Sequence, residues 1–290
     1  MPMWREWVER EALPGRRVVE ARELTGGYSN QNVRLTMDDG NAYVLRTIRG
    51  ADTGPVEAAL AHRLAGVVPV PEVIATGDRI LLARFVPGRM LGEALAGDGD
   101  AAALGRAVGQ TLARIGTVTF GAPGFFSGAT LEPDGTEPAE GLDRWVDRCL
   151  AEGNADGHLT AAEQRALRDH AARNAPLLEA VHGSRQLVHS DFNPKNLLVV
   201  RNEVVAVLDW EFAFSGPPLT DVANMLRDPR PPGFAEAFLE AFRGEGGFLP
   251  PDWRELSRTI DLYAVADFLR RPPSHRYFRR SIARIRDLLA

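Results

Sequence analysis

Between residues 187 and 213 the chain reads LVHSDFNPKNLLVVRNEVVAVLDWEFA, with a carboxylate at Asp191, an amide at Asn196, two apolar runs and a second carboxylate at Asp209. The runs Leu197 to Val200 and Val204 to Leu208 are separated by the polar Arg201, Asn202 and Glu203, which predicts an antiparallel hairpin. A hairpin returns its two ends to one place, so Asn196 at its start and Asp209 at its finish become neighbours, with Asp191 just upstream. The three residue types divide a set of chemical tasks. One carboxylate can orient a hydroxyl and accept its proton, while a hard amide oxygen and a second carboxylate suit Mg2+. Taken singly, Asp191 reads as a turn carboxylate and Asp209 as a strand-end cap; the spacing HxDxxxxN, hairpin, Asp joins them into one site.

With those residues in hand, the chain resembles the aminoglycoside phosphotransferase and choline kinase family, small-molecule kinases built on the protein-kinase fold. His189, Asp191 and Asn196 match the family's catalytic loop, and Asp209, Trp210 and Glu211 its metal-binding step. Gly216, Pro217 and Asp221, in SGPPLTDVANML, match the Gly-Pro step and helix-opening Asp that follow. The resemblance implies an α+β, protein-kinase-like two-lobed fold, with an antiparallel-sheet nucleotide-binding lobe over residues 1–86 and a mainly helical catalytic and acceptor-binding lobe over 87–290. It implies ATP as donor, GTP being the alternative, and Mg2+ held by Asn196 and Asp209. Asp191 is then the base or hydroxyl-orienting group, and His189 packs inward to support the loop. Lys195, the only lysine beside 33 arginines, stands immediately before Asn196, where protein tyrosine kinases have Arg. A point charge there would neutralise a migrating phosphoryl group; a solvent-facing loop lysine is the competing reading.

The first hundred residues agree with a nucleotide-binding lobe. Val18 to Thr25, Gln31 to Met37 and Asn41 to Ile48 predict a three-stranded meander punctuated by Gly26-Gly27 and Asp38-Asp39-Gly40. Gly26, Gly27, Tyr28 and Ser29 lie where a kinase folds a loop over the phosphates, and small residues let backbone amides approach an anion, although an ordinary hairpin turn has the same composition. The third strand carries Arg46 where protein kinases have Lys, a permanent cation with a bidentate fork. This departure keeps a binding-only pseudokinase as an alternative, against which stand Asp191, Asn196 and Asp209. Val56 to Ala65 reads as a helix on which Glu57 is the partner for Arg46, or else a first-turn glutamate favoured by the helix dipole. Two further strand-like runs, 68–76 and 79–86, lead to Pro87-Gly88, and the resemblance makes Arg84, Phe85 and Val86 the hinge facing the adenine edge.

Downstream, helices are predicted over 100–118, 143–152, 160–181, 233–243, 252–270 and 275–289. The one over 160–181 opens on the capping box Thr160 to Glu163, and Asp252 with Glu255 caps another. The Gly/Pro-rich residues 120–138 read as a surface loop beside the acceptor groove. Apolar content of 44% supplies an ample core, the longest apolar runs fall short of a membrane span, and MPMWREWVER reads as an amphipathic helix rather than a signal peptide. A soluble, cytoplasmic monomer or homodimer is expected. Cys149 stands alone, so no intrachain disulfide forms. A net charge of -5 argues against nucleic acid and suits a cationic small-molecule acceptor. The resembling family phosphorylates aminoglycosides, peptide and macrolide antibiotics, choline, homoserine and ketosamines. An antibiotic kinase is the first expectation and a metabolic small-molecule kinase the second. Asp143, Asp147, Glu211 and Asp267 are the carboxylates that could hold a cationic acceptor, each with a solvated ion pair as its plainer role.

Overall fold

Alternation of apolar and polar residues in the first eighty residues produces a sheet with two different faces. In the computed structural model, which describes residues 3–24 and 30–290, β1 (Val18–Leu24), β2 (Gln31–Met37), β3 (Ala42–Thr47), β4 (Val73–Gly77) and β5 (Ile80–Arg84) form an antiparallel sheet of order β1-β2-β3-β5-β4. One face carries Leu35, Met37, Tyr43, Leu45 and Leu82 into a small core, covered by Trp4 and Trp7 of α1 (Met3–Trp7) and by the adjoining Val8. The strand period sends Asn32, Arg34, Val44 and Arg46 to the other face, where Asn32 stands opposite Arg46 and Arg34 opposite Val44. α2 (Gly54–Leu64) buries Val56, Leu60 and Leu64 in a second, larger core and so fastens the sheet to the helical part.

That part contains β6 (Arg89–Met90), α3 (Leu91–Ala96), α4 (Ala101–Ile115), β7 (Gly124–Ser127), β8 (Glu132–Pro133), α5 (Leu142–Glu152) and α6 (Ala161–Asn174). β9 (Gln186–Val188), β10 (Leu197–Val200), β11 (Glu203–Val207) and β12 (Phe214–Gly216) follow, then α7 (Leu219–Leu226), α8 (Phe234–Gly244), α9 (Trp253–Asp267) and α10 (Arg276–Leu289). α4 and α8 pack closely. Gly105 and Gly109 let the helix axes approach until any Cβ would collide with the carbonyl oxygens of Phe234 and Phe238. Among the described residues no helix is long and apolar enough to cross a membrane.

Three local expectations need correction. Residues 120–138 are not a plain loop: they contain the β7–β8 hairpin, which extends a four-stranded sheet of order β8-β7-β12-β9. Strands of two to four residues are too short to display alternation. The helix predicted over 160–181 ends at Asn174 and tightens to a 3₁₀ segment over Ala175–Val181, because Pro176 cannot donate to the helical ladder. Asp252 makes no side-chain cap on α9, whereas the Thr160 box forms as expected, with Thr160 N–H to Glu163 at 2.6 Å and Glu163 N–H to Thr160 at 3.2 Å.

Candidate active site

The β10–β11 hairpin does the predicted work. Leu197 stands opposite Val207, and the Leu208 N–H donates to the Asn196 carbonyl at 2.8 Å, which sets Asn196 and Asp209 on adjoining ends. The loop before it is held from inside the protein. His189 is fully buried, with Nε2 2.8 Å from the Leu208 carbonyl and its ring 4.5 Å from that of Trp210. Burial pushes this imidazole below the usual histidine range, so it stays neutral; Nε2 donates to Leu208, and Nδ1 accepts from the Asp191 N–H at 3.3 Å. Asp221, also fully buried, accepts from the His189 and Ser190 N–H groups at 2.7 and 2.8 Å, while burial pushes its carboxyl up to about 7. Ser190 and Asp209 both adopt left-handed backbone, with φ of 71° and 70°. Each such residue costs on the order of 1–3 kcal/mol, a cost tolerated where surrounding contacts over-determine the chain.

Asp191 emerges from this loop with both carboxylate oxygens bonded. Oδ1 accepts from Asn193 Nδ2 at 2.6 Å; Oδ2 accepts from Asn196 Nδ2 and Lys195 Nζ, both at 2.9 Å. Burial works against the Lys195 ammonium, yet the Asp191 carboxylate outweighs it and holds this lysine above the usual range. Asn196 Nδ2 also donates to the Asp191 carbonyl at 2.9 Å, so the amide nitrogen is committed and its oxygen is the atom left for a cation.

Across the cleft, Arg46 Nη1 lies 2.6 Å from Glu57 and 3.0 Å from Asp209, and Arg46 Nε donates to Asn32. Thr53 donates to the other Glu57 oxygen at 3.0 Å. Burial opposes the charge on Arg46, and the surrounding carboxylates, Glu57 foremost, more than restore it. A second bridge links Asn30 Nδ2 to Glu211 at 2.8 Å. Asn196 Oδ1 and the Asp209 carboxylate are hard oxygens at adjoining ends of the hairpin, a donor set that fits Mg2+ and would hold it.

At the expected hinge, the Arg84 and Phe85 N–H groups are spent on the Glu72 and Ala42 carbonyls, at 2.8 and 3.0 Å. A base must therefore meet the carbonyls there, or Val86. The Arg84 side chain points outward to Glu72 at 2.8 Å. Arg34, which the sequence did not single out, stacks its guanidinium 4.3 Å from the Phe85 ring centre on the cleft face of the sheet. Gly26, Gly27, Tyr28 and Ser29, expected over the phosphates, lie outside the described residues.

Beside Asp191 and Lys195 opens a cavity of about 1260 Å³ between the β7–β8 hairpin and helices α5, α7, α9 and α10. Of the four carboxylates expected to line it, Glu211 and Asp267 do; Asp143 and Asp147 do not. The helical period explains the miss: α5 turns Arg144, Trp145 and Arg148 to the cavity, which leaves Asp143 and Asp147 on its neighbouring face, where Asp147 pairs with Arg168 at 2.7 Å. Asp267 continues the line of Leu256, Ile260 and Tyr263 along α9 as a helical stripe. That stripe leaves the core at Leu256 and reaches the cavity at Ile260, Tyr263 and Asp267, so this carboxylate is 36% exposed and pairs with Arg270 at 3.5 Å.

Sequence reasoning missed Tyr263, whose hydroxyl is buried without a partner among the described residues, and the group formed by Asn224, Arg227, Asp228, Arg230, Asp261 and Arg284. Asn224 Nδ2 donates to the Ser190 carbonyl at 2.7 Å, Arg227 donates to the Asn224 oxygen, and Arg227 pairs with Asp261 at 2.6 Å. The only signal was the density of charge in RDPRPP and ARIRD, unremarkable in an arginine-rich chain.

Residues 20–257 match the model of the phosphotransferase enzyme family, APH. None of the curated proteins matches. Among solved structures, aminoglycoside phosphotransferase APH(4)-Ia superposes with a TM-score of 0.71 at 20% identity, covering 94% of this chain and 93% of that one. A putative fructosamine-3-kinase from Thermobifida fusca gives 0.66 at 20% identity, covering 95% of each chain. Macrolide 2'-phosphotransferase MphH from Brachybacterium faecium gives 0.63 at 21% identity, covering 95% and 92%. These likenesses establish the kinase-like fold, and the match over most of its length makes the chain a member of the phosphotransferase enzyme family.

Proposed function

We propose that this chain transfers the γ-phosphoryl group of ATP to a hydroxyl of a small molecule bound in the cavity beside Asp191. The observation that carries the reading is the Asp191 carboxylate, fixed by Asn193, Lys195 and Asn196 at the mouth of that cavity and one hairpin away from an Asp209–Arg46–Glu57 bridge. One of the solved neighbours was crystallised with AMP-PNP and hygromycin B, which supports a nucleotide and an acceptor on the same fold.

In this reading Arg46, steadied by Glu57, turns its remaining Nη2 and its fixed positive charge to the donor phosphates, and Asn196 Oδ1 and Asp209 would hold Mg2+. The metal, when bound, neutralises charge on the phosphate oxygens. Asp191 orients the acceptor hydroxyl and accepts its proton as the oxygen attacks phosphorus. Lys195 stands beside the transferring group as a point charge, and neutral His189 keeps the loop in shape without titrating.

Lys195→Ala should lower kcat more than it weakens ATP binding, because a charge poised at the transferring group acts mainly in the transition state. Steady-state kinetics with ATP varied would read this; a raised KM for ATP at normal kcat moves Lys195 to nucleotide binding.

Of the two acceptor classes, the cavity favours the metabolic hydroxyl compound over a polycationic antibiotic. Eight arginines and Lys195 face eight carboxylates in its lining, so a polycation meets no acidic cage. A single ammonium group is still served by Asp267, and the unpartnered Tyr263 hydroxyl supplies a donor for a substrate oxygen. Tyr263→Phe should keep or slightly raise Tm while increasing KM for the acceptor; a fall in Tm with KM unchanged would make the hydroxyl a purely structural feature. The test of function is a screen with γ-phosphate-labelled ATP and Mg2+ against hydroxylated amines, amino acids, sugars and antibiotics, in which label should enter one small-molecule class.

A further inference from the structure

Where the cavity meets α7 and α10, positive charge exceeds negative. Arg227, Arg230 and Arg284 line it together with Asp228 and Asp261. Two of the arginines are answered: Arg227 pairs with Asp261 at 2.6 Å, and Arg284 with Asp228 at 2.8 Å and Asp261 at 3.6 Å. Arg230 is not. Its Nε donates to the Met225 carbonyl at 2.8 Å, and among the described residues no carboxylate lies within ion-pairing distance of its terminal nitrogens. Pro229, Pro231 and Pro232 stiffen the segment that carries it. The side chain is half-buried, and burial, with the fields of Arg227 and Arg284 adding to it, holds its guanidinium below the usual arginine range although the nearby Asp228 carboxylate works the other way. A partly desolvated cation kept beside two others, with no carboxylate bonded to its terminal nitrogens, is able to take an anion, and a fixed guanidinium fork matches carboxylate and phosphate oxygens.

We infer that the acceptor carries an anionic group, a carboxylate or a phosphate ester, which Arg230 binds on the α7–α10 side of the cavity with Arg227 and Arg284 reinforcing its field. This deepens, and rests on, the phosphotransfer reading, since it treats the cavity as the acceptor site. The anion site is joined to the catalytic loop by Arg227, which bonds Asn224, which in turn bonds the Ser190 carbonyl next to Asp191. Binding the anion therefore also steadies the residue that meets the hydroxyl.

The test is calorimetric titration of the full chain, saturated with Mg2+ and AMP-PNP so that the γ-phosphate position is filled, with inorganic phosphate in one arm and acetate in the other. Saturable binding is expected in at least one arm, the tighter arm assigning the anion as phosphate ester or carboxylate. Arg230→Gln should weaken it roughly tenfold or more, and Arg230→Lys, which restores charge without the fork, should recover part of the loss. No saturable binding in either arm, or equal binding by the wild type and Arg230→Gln, overturns the inference. Circular dichroism and Mg-AMP-PNP protection of Arg230→Gln establish that it is folded. The two readings fail separately: absence of Mg-AMP-PNP protection in the wild type counts against phosphotransfer, whereas intact protection without Arg230-dependent anion binding counts only against the anionic acceptor.

Discussion

Asp191→Ala should lose turnover by the order of 10² or more, about 2.7 kcal/mol of transition-state stabilisation, if Asp191 is the proposed proton acceptor for the attacking hydroxyl. The structure adds a secondary consequence. Asp191 also anchors Asn193, Lys195 and Asn196, so its removal releases a lysine and the amide proposed to offer its oxygen to the metal. Asp191→Asn separates the two effects in part, since it keeps the side chain's shape and one acceptor oxygen while removing the charge and the basicity, its NH2 then facing a donor that Asp191 held. If basicity matters most, both variants are equally slow while ATP binding stays near the wild-type value in Asp191→Asn. Rapid-quench measurement of the first turnover reads the chemical step directly, and near-normal transfer by either variant would remove Asp191 from the role of base.

Asp209→Ala should abolish the Mg-dependent part of nucleotide protection in thermal unfolding. For a ligand at about 100 times its Kd that protection is worth roughly 2.7 kcal/mol. Two structural facts shape the control. Asp209 has φ of 70°, a conformation that Asp and Asn tolerate better than Ala, so Asp209→Ala also destabilises the free protein by about 1–2 kcal/mol. Its carboxylate also answers Arg46 at 3.0 Å, leaving Glu57 as the remaining partner when it is removed. Asp209→Asn retains the backbone preference and should lose the same Mg-dependent protection without the drop in basal Tm. Wild-type protection in Asp209→Asn would show that the ion is held elsewhere.

What could be read from the sequence follows from how local each arrangement is. Asp191, Asn196 and Asp209 fall within one loop and one hairpin, so residue spacing alone carried their geometry. Arg46 and Glu57 sit on consecutive elements, and a strand followed by a helix was enough to pair them; their meeting with Asp209, 163 residues away, depended on the family resemblance. The acceptor cavity is assembled differently. Arg227 follows the last turn of α7, Asp261 lies on α9 and Arg284 on α10, and no periodicity within one helix reports the angle at which the others pack against it. Asp143 and Asp147 failed for the complementary reason: their helix was correctly foreseen, but a rotation of one residue, about 100° on a 3.6-residue turn, exchanged them for Arg144 and Arg148. Asp267 lay between these cases, on a stripe that is apolar core at one end and cavity wall at the other.

The central claim is transfer of the γ-phosphoryl group to a small-molecule hydroxyl with Asp191 in place, and phosphorus-31 NMR of the reaction tests it most directly. With Mg-ATP and the acceptor class selected by the labelled-ATP screen, the wild type should convert the γ-phosphate resonance into that of a small-molecule phosphomonoester, one for each ADP formed, and Asp191→Ala should leave ATP intact on the same timescale. A phosphomonoester that accumulates equally with Asp191→Ala, or γ-phosphate that appears only as inorganic phosphate whichever acceptor is supplied, would contradict it.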